Sequence, residues 1–193
     1  RATGIEPAEK RVTLDGRPSV RFDLASINVG STVAGLSTPG VREHAIPTRP
    51  IGRFVSRVDT LFERLKAERP SDTLRIAVVG AGAGGVEVAF ALDYRLREAG
   101  LGVDVSVIES GPEILPGYSS GLRQRTLHAA SARKIRVLTG RRVARVDADT
   151  AHLVDGDGAE SELAFDLLLW VTGAVAQPLF RDSALPTDER GFL

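Results

Sequence analysis

Leu74-Arg-Ile-Ala-Val-Val-Gly-Ala-Gly-Ala-Gly-Gly-Val-Glu-Val-Ala-Phe-Ala-Leu92 is the stretch that decides the fold. An apolar run ends at Gly80, and Gly80, Gly82 and Gly85 stand at G-x-G-x-x-G spacing. A helical pattern continues to Gly100, and a second apolar run, Val103-Asp-Val-Ser-Val-Ile108, ends on Glu109. Short apolar runs bounded by glycine read as buried strands, so the order is strand, turn, helix, strand, with an acid at the tip of the second strand. Each glycine has a physical task. Gly80 permits a tight turn, Gly82 lets the backbone approach a pyrophosphate, and Gly85 lets the helix pack close to the strand. Ala81, Ala83 and Gly84 complete the turn, and the helix start offers free N–H groups and partial positive charge to phosphates. Bare glycine patterns also occur in turns that bind nothing. The flanking strand, helix and acid favour a dinucleotide here.

Glu109 has a bland reading, a surface acid at a strand end. Its place at the strand tip favours a ribose task, in which the carboxylate accepts from the 2′- and 3′-hydroxyls. Like charge would repel a 2′-phosphate, so NADH is expected over NADPH. The nearest arginines along the chain, Arg97 and Arg123, do not adjoin the acid in sequence.

The chain has 193 residues, 42% of them hydrophobic, which allows one domain or a domain with an appendage. Acidic and basic residues balance at 25 each. That balance argues against nucleic acid as a partner and against a polybasic membrane patch. There is no cysteine, which excludes disulfides, thiolate metal sites and thiol catalysis within these residues. No apolar stretch is long enough for a transmembrane segment, and no signal peptide is visible, so a cytoplasmic location is expected. The chain starts at Arg1 and contains no methionine, and the expectation is a piece of a longer protein.

Residues 1–33 read as β-rich, with a hairpin at Asp15-Gly16 and a further extended run from Leu24 to Val29. Residues 34–52 carry many turn formers and read as a connector. A helix is predicted from Arg53 to Glu68, with Phe54, Val55, Val58, Leu61, Phe62 and Leu65 at helical spacing and Pro70 ending it. After Glu109 come a loop, a helix over Ser119–Arg133 with Leu122, Leu127 and Ala130 inward, and a strand at Ile135–Leu138. Strands then follow at Arg142–Ala148, Ala151–Val154, Glu160–Leu163 and Phe165–Val171, with Asp155-Gly-Asp-Gly as a turn. The front and back are β-rich and the centre is α/β. The simplest account is a central domain inserted between two flanks of a neighbouring one.

These residues resemble the pyridine nucleotide–disulfide oxidoreductase superfamily, in its NADH dehydrogenase-like branch. Phe22-Asp-Leu-Ala-Ser-Ile-Asn-Val-Gly-Ser31 is similar to the family's YD-x-L-x-x-x-x-G-S stretch, with Asn28-Val29 in place of the usual Ala-Thr. Phe165-Asp-Leu-Leu-Leu-Trp-Val-Thr-Gly-Ala174 resembles its D-x-x-x-W-x-T-G-A return. Pro186 to Leu193 looks like the approach to its second FAD-contacting motif. The resemblance implies a Rossmann-type, FAD/NAD(P)-binding α/β domain with three layers and a parallel sheet, inserted in an incomplete FAD domain. The implied segments are 1–48, a partial FAD-domain segment and connector; 49–164, the NAD(P)-binding domain; and 165–193, a return to the FAD domain. It implies FAD in the full-length parent, NAD in the central domain, and hydride transfer from NADH to flavin. The electron acceptor is left open among a quinone, an iron–sulfur protein and a disulfide, and a homodimer is compatible with it. These residues alone are expected to be inactive.

The resemblance also places Glu87 toward the nicotinamide, where the bland reading is a first-turn acid complementing the helix dipole. It places Thr172, Gly173 and Ala174 at a crossover where the backbone passes the nicotinamide. No catalytic side chain is identified, since nothing pairs a nucleophile with a base. Trp170 reads as packing. His44, His128 and His152 lack metal-ligand spacing, and Asp155-Gly-Asp-Gly lacks the closing acid of a calcium loop, so no metal is expected. Arg136, Arg141, Arg142 and Arg145 read as a solvated basic face. The proline-rich connector from Ala45 to Phe54 is similar to a sub-branch fused to selenophosphate synthetases. That similarity motivates a second reading, a nucleotide-binding regulatory or sensor module fused to another enzyme.

Overall fold

The computed structural model describes residues 1–68 and 73–193. In chain order the elements are β1 (Ala2–Glu6), β2 (Arg11–Leu14), β3 (Arg17–Arg21), β4 (Ser31–Val33), α1 (Val41–His44), β5 (Ile46–Pro47), α2 (Ile51–Glu68), β6 (Leu74–Val79) and α3 (Ala83–Glu98). They continue with β7 (Val103–Ile108), α4 (Ser120–Ala132), β8 (Arg136–Leu138), β9 (Arg141–Val146), β10 (Thr150–Asp155), β11 (Glu160–Ala164), β12 (Leu167–Trp170), β13 (Ala174–Ala176) and α5 (Leu179–Asp182). The chain forms two compact units, Gly35–Gly173 and the pair of segments Arg1–Ala34 and Ala174–Leu193. The sequence reading draws its divisions instead at 48/49 and 164/165.

The Gly35–Gly173 unit is built on a parallel sheet ordered β5-β12-β6-β7-β8. Ile76, Val78, Val103, Val105, Val107 and Leu169 pack with Val58 and Leu65 of α2, Ala89, Leu92 and Leu96 of α3, and Ala130 of α4. The alternate residues Ala77, Val79, Ile108, Leu168 and Trp170 are buried as well. Both faces of the sheet are therefore covered, which is why β6 and β12 read as continuous apolar runs rather than alternating ones. The antiparallel sheet β11-β10-β9 contributes buried Val143, Val146, Ala151 and Leu153, and β9 lies against β7. Helices, parallel sheet and antiparallel sheet make the three layers.

The join between β6 and α3 is tight. Gly80 has φ +105°, and a Cβ there would lie 2.5 Å from the Val171 carbonyl oxygen. A Cβ on Gly85 would lie 1.8 Å from the Gly80 carbonyl oxygen. Any larger residue at Gly85 therefore pushes α3 off the end of β6. A second brace lies at the other end of β6. The Arg75 guanidinium forks onto Asp166 at 3.1 and 2.6 Å, the Arg75 amide donates to the same carboxylate at 2.7 Å, and the Asp166 amide donates back to the Arg75 carbonyl at 2.8 Å.

The smaller unit holds the antiparallel sheet β1-β2-β3, whose β2–β3 turn contains Gly16 at φ +62°, and the antiparallel pair β4–β13. Ile5, Ala176 and Phe180 form its core, with Phe22, Leu179, Leu185 and Phe192 around them.

Four expectations change. Leu24–Val29 is not a strand; it has no ladder partner among the described residues, and Leu24 is 92% exposed. The strand comes after Gly30, as β4. α2 begins at Ile51, because the Pro50 carbonyl accepts from the Arg53 and Phe54 amides at 3.1 and 3.2 Å. Its inward line omits Val55, which is exposed. In α4 only Ala130 is buried, while Leu122 and Leu127 are exposed. At about 100° per residue those leucines lie roughly 140° apart on the helix and flank the inward line instead of forming it. The helix end assigned to Pro70 lies outside the described residues.

Two stability outcomes follow. Gly85→Ala forces an overlap with backbone, which cannot rotate away, and should cost at least about 3 kcal/mol or abolish folding, read by thermal melting. Hydrogen bonding from Arg75 holds the Asp166 carboxyl below its ordinary range against desolvation. A lowered folded-state pKa gives stability that is present above the unfolded value of about 3.9 and is lost as pH falls through the folded one. Asp166→Asn should lower Tm at neutral pH by about 1–4 °C, since the pair is well exposed, and the two melting curves should converge below the ordinary carboxylate value.

Candidate functional site

Strand order reverses at β6: β7 and β8 follow on one side, and β12 lies on the other. In open α/β sheets ligands bind outside the carboxyl ends of the strands at such a point. The glycine turn at residues 80–85, Glu109 and Thr172 are brought together there. α3 starts after Gly82, whose φ of −67° and ψ of −179° are extended, and no side chain caps it. The Gly80 amide donates to the Ile108 carbonyl at 2.8 Å, and the Ala81 amide to Glu109 Oε2 at 2.8 Å. The amides of Ala83, Gly84 and Gly85 have no partner among the described residues. A Cβ on Gly82 would meet nothing within 4 Å. Unspent donors, the positive end of a helix and open space above the backbone are the features from which an anion site is built. Gly84 makes only ordinary contact, its Cβ position lying 3.7 Å from Val171 Cγ1.

Glu109 is part of the turn's framework. Oε2 accepts from Ala81, and Oε1 accepts from the Gly111 amide at 2.9 Å and the Ser110 hydroxyl at 3.2 Å. A carboxylate has about four lone-pair positions, so capacity for a ribose hydroxyl remains. The residue is half-buried. Its amide donates to the Leu138 carbonyl at 2.8 Å, and its carbonyl accepts from the Arg141 amide at 2.9 Å. The Gly140 amide donates to the Gly111 carbonyl at 2.7 Å. The start of β9 therefore lies along the rim formed by Glu109–Gly111.

Two contacts here had no signal in the sequence. The buried Leu115 donates its amide to the Ala81 carbonyl at 2.8 Å, latching the following loop to the glycine turn. Arg141, read as one member of a basic face, has its backbone beside Glu109. That face is also not simply solvated. Arg136 pairs with Asp104 at 3.1 Å, Arg141 with Asp155 at 2.7 Å, and Arg145 with Asp147.

Thr172 comes two residues after the end of β12, and its amide nitrogen lies 3.2 Å from where a Gly80 Cβ would be. Gly173 is exposed with open space around it. Both belong to the Gly35–Gly173 unit, whereas Ala174 opens β13 in the other. Glu87 is exposed and is the fifth residue of α3, so it lies past the first turn rather than in it. Trp170 is buried within its own unit, its ring 3.1 Å from the position of a Cβ on Gly35.

The chain is 32% identical over 197 residues to demethylphylloquinone reductase NdbB from Synechocystis sp., covering 99% of this chain and 47% of that protein. It is 30% identical over 198 residues to the mitochondrial external alternative NADH-ubiquinone oxidoreductase of Yarrowia lipolytica, covering 90% and 34%. The chain thus spans less than half the length of these curated relatives. Among solved structures, NDH2 from Plasmodium falciparum in complex with NADH superposes with a TM-score of 0.80 at 21% identity, over 93% of this chain and 41% of that one. The NADH-bound water-forming NADH oxidase from Lactobacillus brevis superposes with a TM-score of 0.76 at 18% identity, over 99% and 40%. At such identities these structures speak for the fold, which is that of Rossmann-type FAD/NAD(P)-binding oxidoreductases. The pyridine nucleotide-disulphide oxidoreductase family profile matches residues 1–193. With every residue inside that match, and with the glycine turn, strand order and acid where a dinucleotide site requires them, the chain belongs to the pyridine nucleotide-disulphide oxidoreductase family.

Proposed function

We propose that the Gly35–Gly173 unit binds NADH and that the whole protein is an FAD-dependent oxidoreductase passing hydride from NADH to flavin. The observation that carries this is the uncapped start of α3, where the amides of Ala83, Gly84 and Gly85 lack partners and nothing occupies the space above Gly82. A dinucleotide diphosphate supplies the acceptors these donors need. Backbone amides and the helix dipole hold it without a basic side chain. Glu109 receives the ribose hydroxyls and also fixes the Ala81 amide, so sugar recognition and phosphate-loop geometry share one carboxylate. The backbone at Thr172 and Gly173 passes the nicotinamide end, where the absence of a side chain at Gly173 leaves the ring face clear.

Flavin supplies the redox chemistry when bound; the part of these residues is to bind and orient the donor. A quinone is the acceptor favoured by the relatives, which include a demethylphylloquinone reductase and NADH-ubiquinone oxidoreductases. Those relatives carry the names of redox enzymes, and none lends support to the regulatory-module reading.

Titration of NADH and NADPH, followed by nicotinamide fluorescence, tests the binding half. NADH should bind more tightly. Glu109→Gln should weaken NADH by about tenfold, in line with a lost charge-assisted hydrogen bond, and narrow its advantage over NADPH. Gly82→Ala should leave folding within about 1 kcal/mol while weakening both cofactors, because its methyl group stands where the diphosphate would lie. Tighter NADPH binding by the unaltered protein would overturn the ribose argument. For the redox half, the full-length protein should carry a yellow flavin that NADH bleaches; a colourless protein that binds NADH without turnover would refute it.

A further inference from the structure

A 2′-phosphate needs a cation beside the second strand's tip. This chain has one there. The Arg141 amide donates to the Glu109 carbonyl at 2.9 Å, so Arg141 begins its strand against the ribose acid. Its guanidinium is spent elsewhere. Arg141 Nη1 donates to Asp155 Oδ2 at 2.7 Å, across the β9–β10 ladder in which the two residues are direct partners.

Asp155 is well held for that purpose. Its other oxygen accepts from the Asp157 and Ala159 amides at 3.0 and 2.8 Å. Those bonds, led by the one from Ala159, keep its carboxyl below the usual range, so it is charged at neutral pH. The side chains of Arg141 and Asp155 are 36% and 22% exposed, so the guanidinium is not locked in a dry interior and is free to swing once released. An arginine of α4 is committed too. Arg123 pairs with Glu113 at 3.2 Å and donates to the Tyr118 carbonyl at 2.6 Å.

We infer that Asp155 is a specificity-determining residue: by holding the Arg141 guanidinium it withholds from a 2′-phosphate the one cation, among the described residues, whose backbone adjoins Glu109. Asp155 touches no cofactor and acts through Arg141. The inference rests on the NADH reading above and deepens it, since repulsion by Glu109 and removal of a competing attraction then act together.

Asp155→Asn tests it, because the amide oxygen still accepts the two turn bonds while the ionic hold is lost. NADH and NADPH are titrated into the protein by fluorescence at low and at raised salt. The NADPH-to-NADH affinity ratio should rise about two- to fivefold in Asp155→Asn, and the gain should fade as salt increases. The gain should vanish in the double variant Arg141→Ala/Asp155→Asn. Arg141→Ala alone should leave NADPH affinity as it was, which provides a check should the Asn variant fold poorly. An unchanged ratio in Asp155→Asn, a gain surviving in the double variant, or a loss of NADPH affinity in Arg141→Ala would each overturn the inference while leaving the NADH reading intact. Failure of the unaltered protein to bind NADH would instead remove that reading, and this inference with it.

Discussion

Contact between the start of α3 and the end of β6 is the constraint on which the rest depends. Two positions without side chains, Gly80 and Gly85, let the backbone of the turn lie against the carbonyls of Val171 and Gly80. Only then does the helix begin where the strand stops, with its first amides aimed out over the sheet's carboxyl edge. Val171 is part of the same joint, since it donates to the Val79 carbonyl at 2.8 Å while its own carbonyl crowds Gly80. The turn, the adjacent strand end at β12 and the crossover at Thr172 are thus one packed object, and none of the three can move without the others.

The electrostatics are economical. With equal numbers of acids and bases, the chain carries no basic field to draw in an anion. In the proposed function the attraction comes from peptide groups, which are fixed in place and cannot be neutralised by a neighbouring carboxylate. The basic side chains near the rim are meanwhile paired with acids. On that proposal two tasks that a cluster of arginines would merge are kept apart: holding a diphosphate, which every pyridine nucleotide has, and judging the ribose, where NAD and NADP differ.

What the sequence revealed was what short-range pattern encodes. The strands β6 and β7, the helix between them and the tasks of Gly80 and Gly85 are local matters of period and backbone freedom, and they were legible. So was the hairpin at Asp15-Gly16. The partners of Glu109 were not legible, because they depend on strand pairing that brings residues 138–141 alongside residues 109–111. Arg141 looked like surface charge for the same reason. Leu24–Val29 misled in the opposite direction. Its composition suits a strand, but a strand exists only where another backbone offers a ladder, and composition is silent on that. In α4 the apolar residues are visible in the sequence, but Leu122 and Leu127 lie to either side of Ala130 around the helix, and both face outward.

The parallel sheet begins with β5, two residues that include Pro47, and ends with β8, three residues long. Unpaired strand edges are templates on which separate molecules add strands and grow into aggregates, and proline removes a donor from one of these margins. A sheet buried on both faces and closed by such brief margins leaves almost no backbone to recruit another chain.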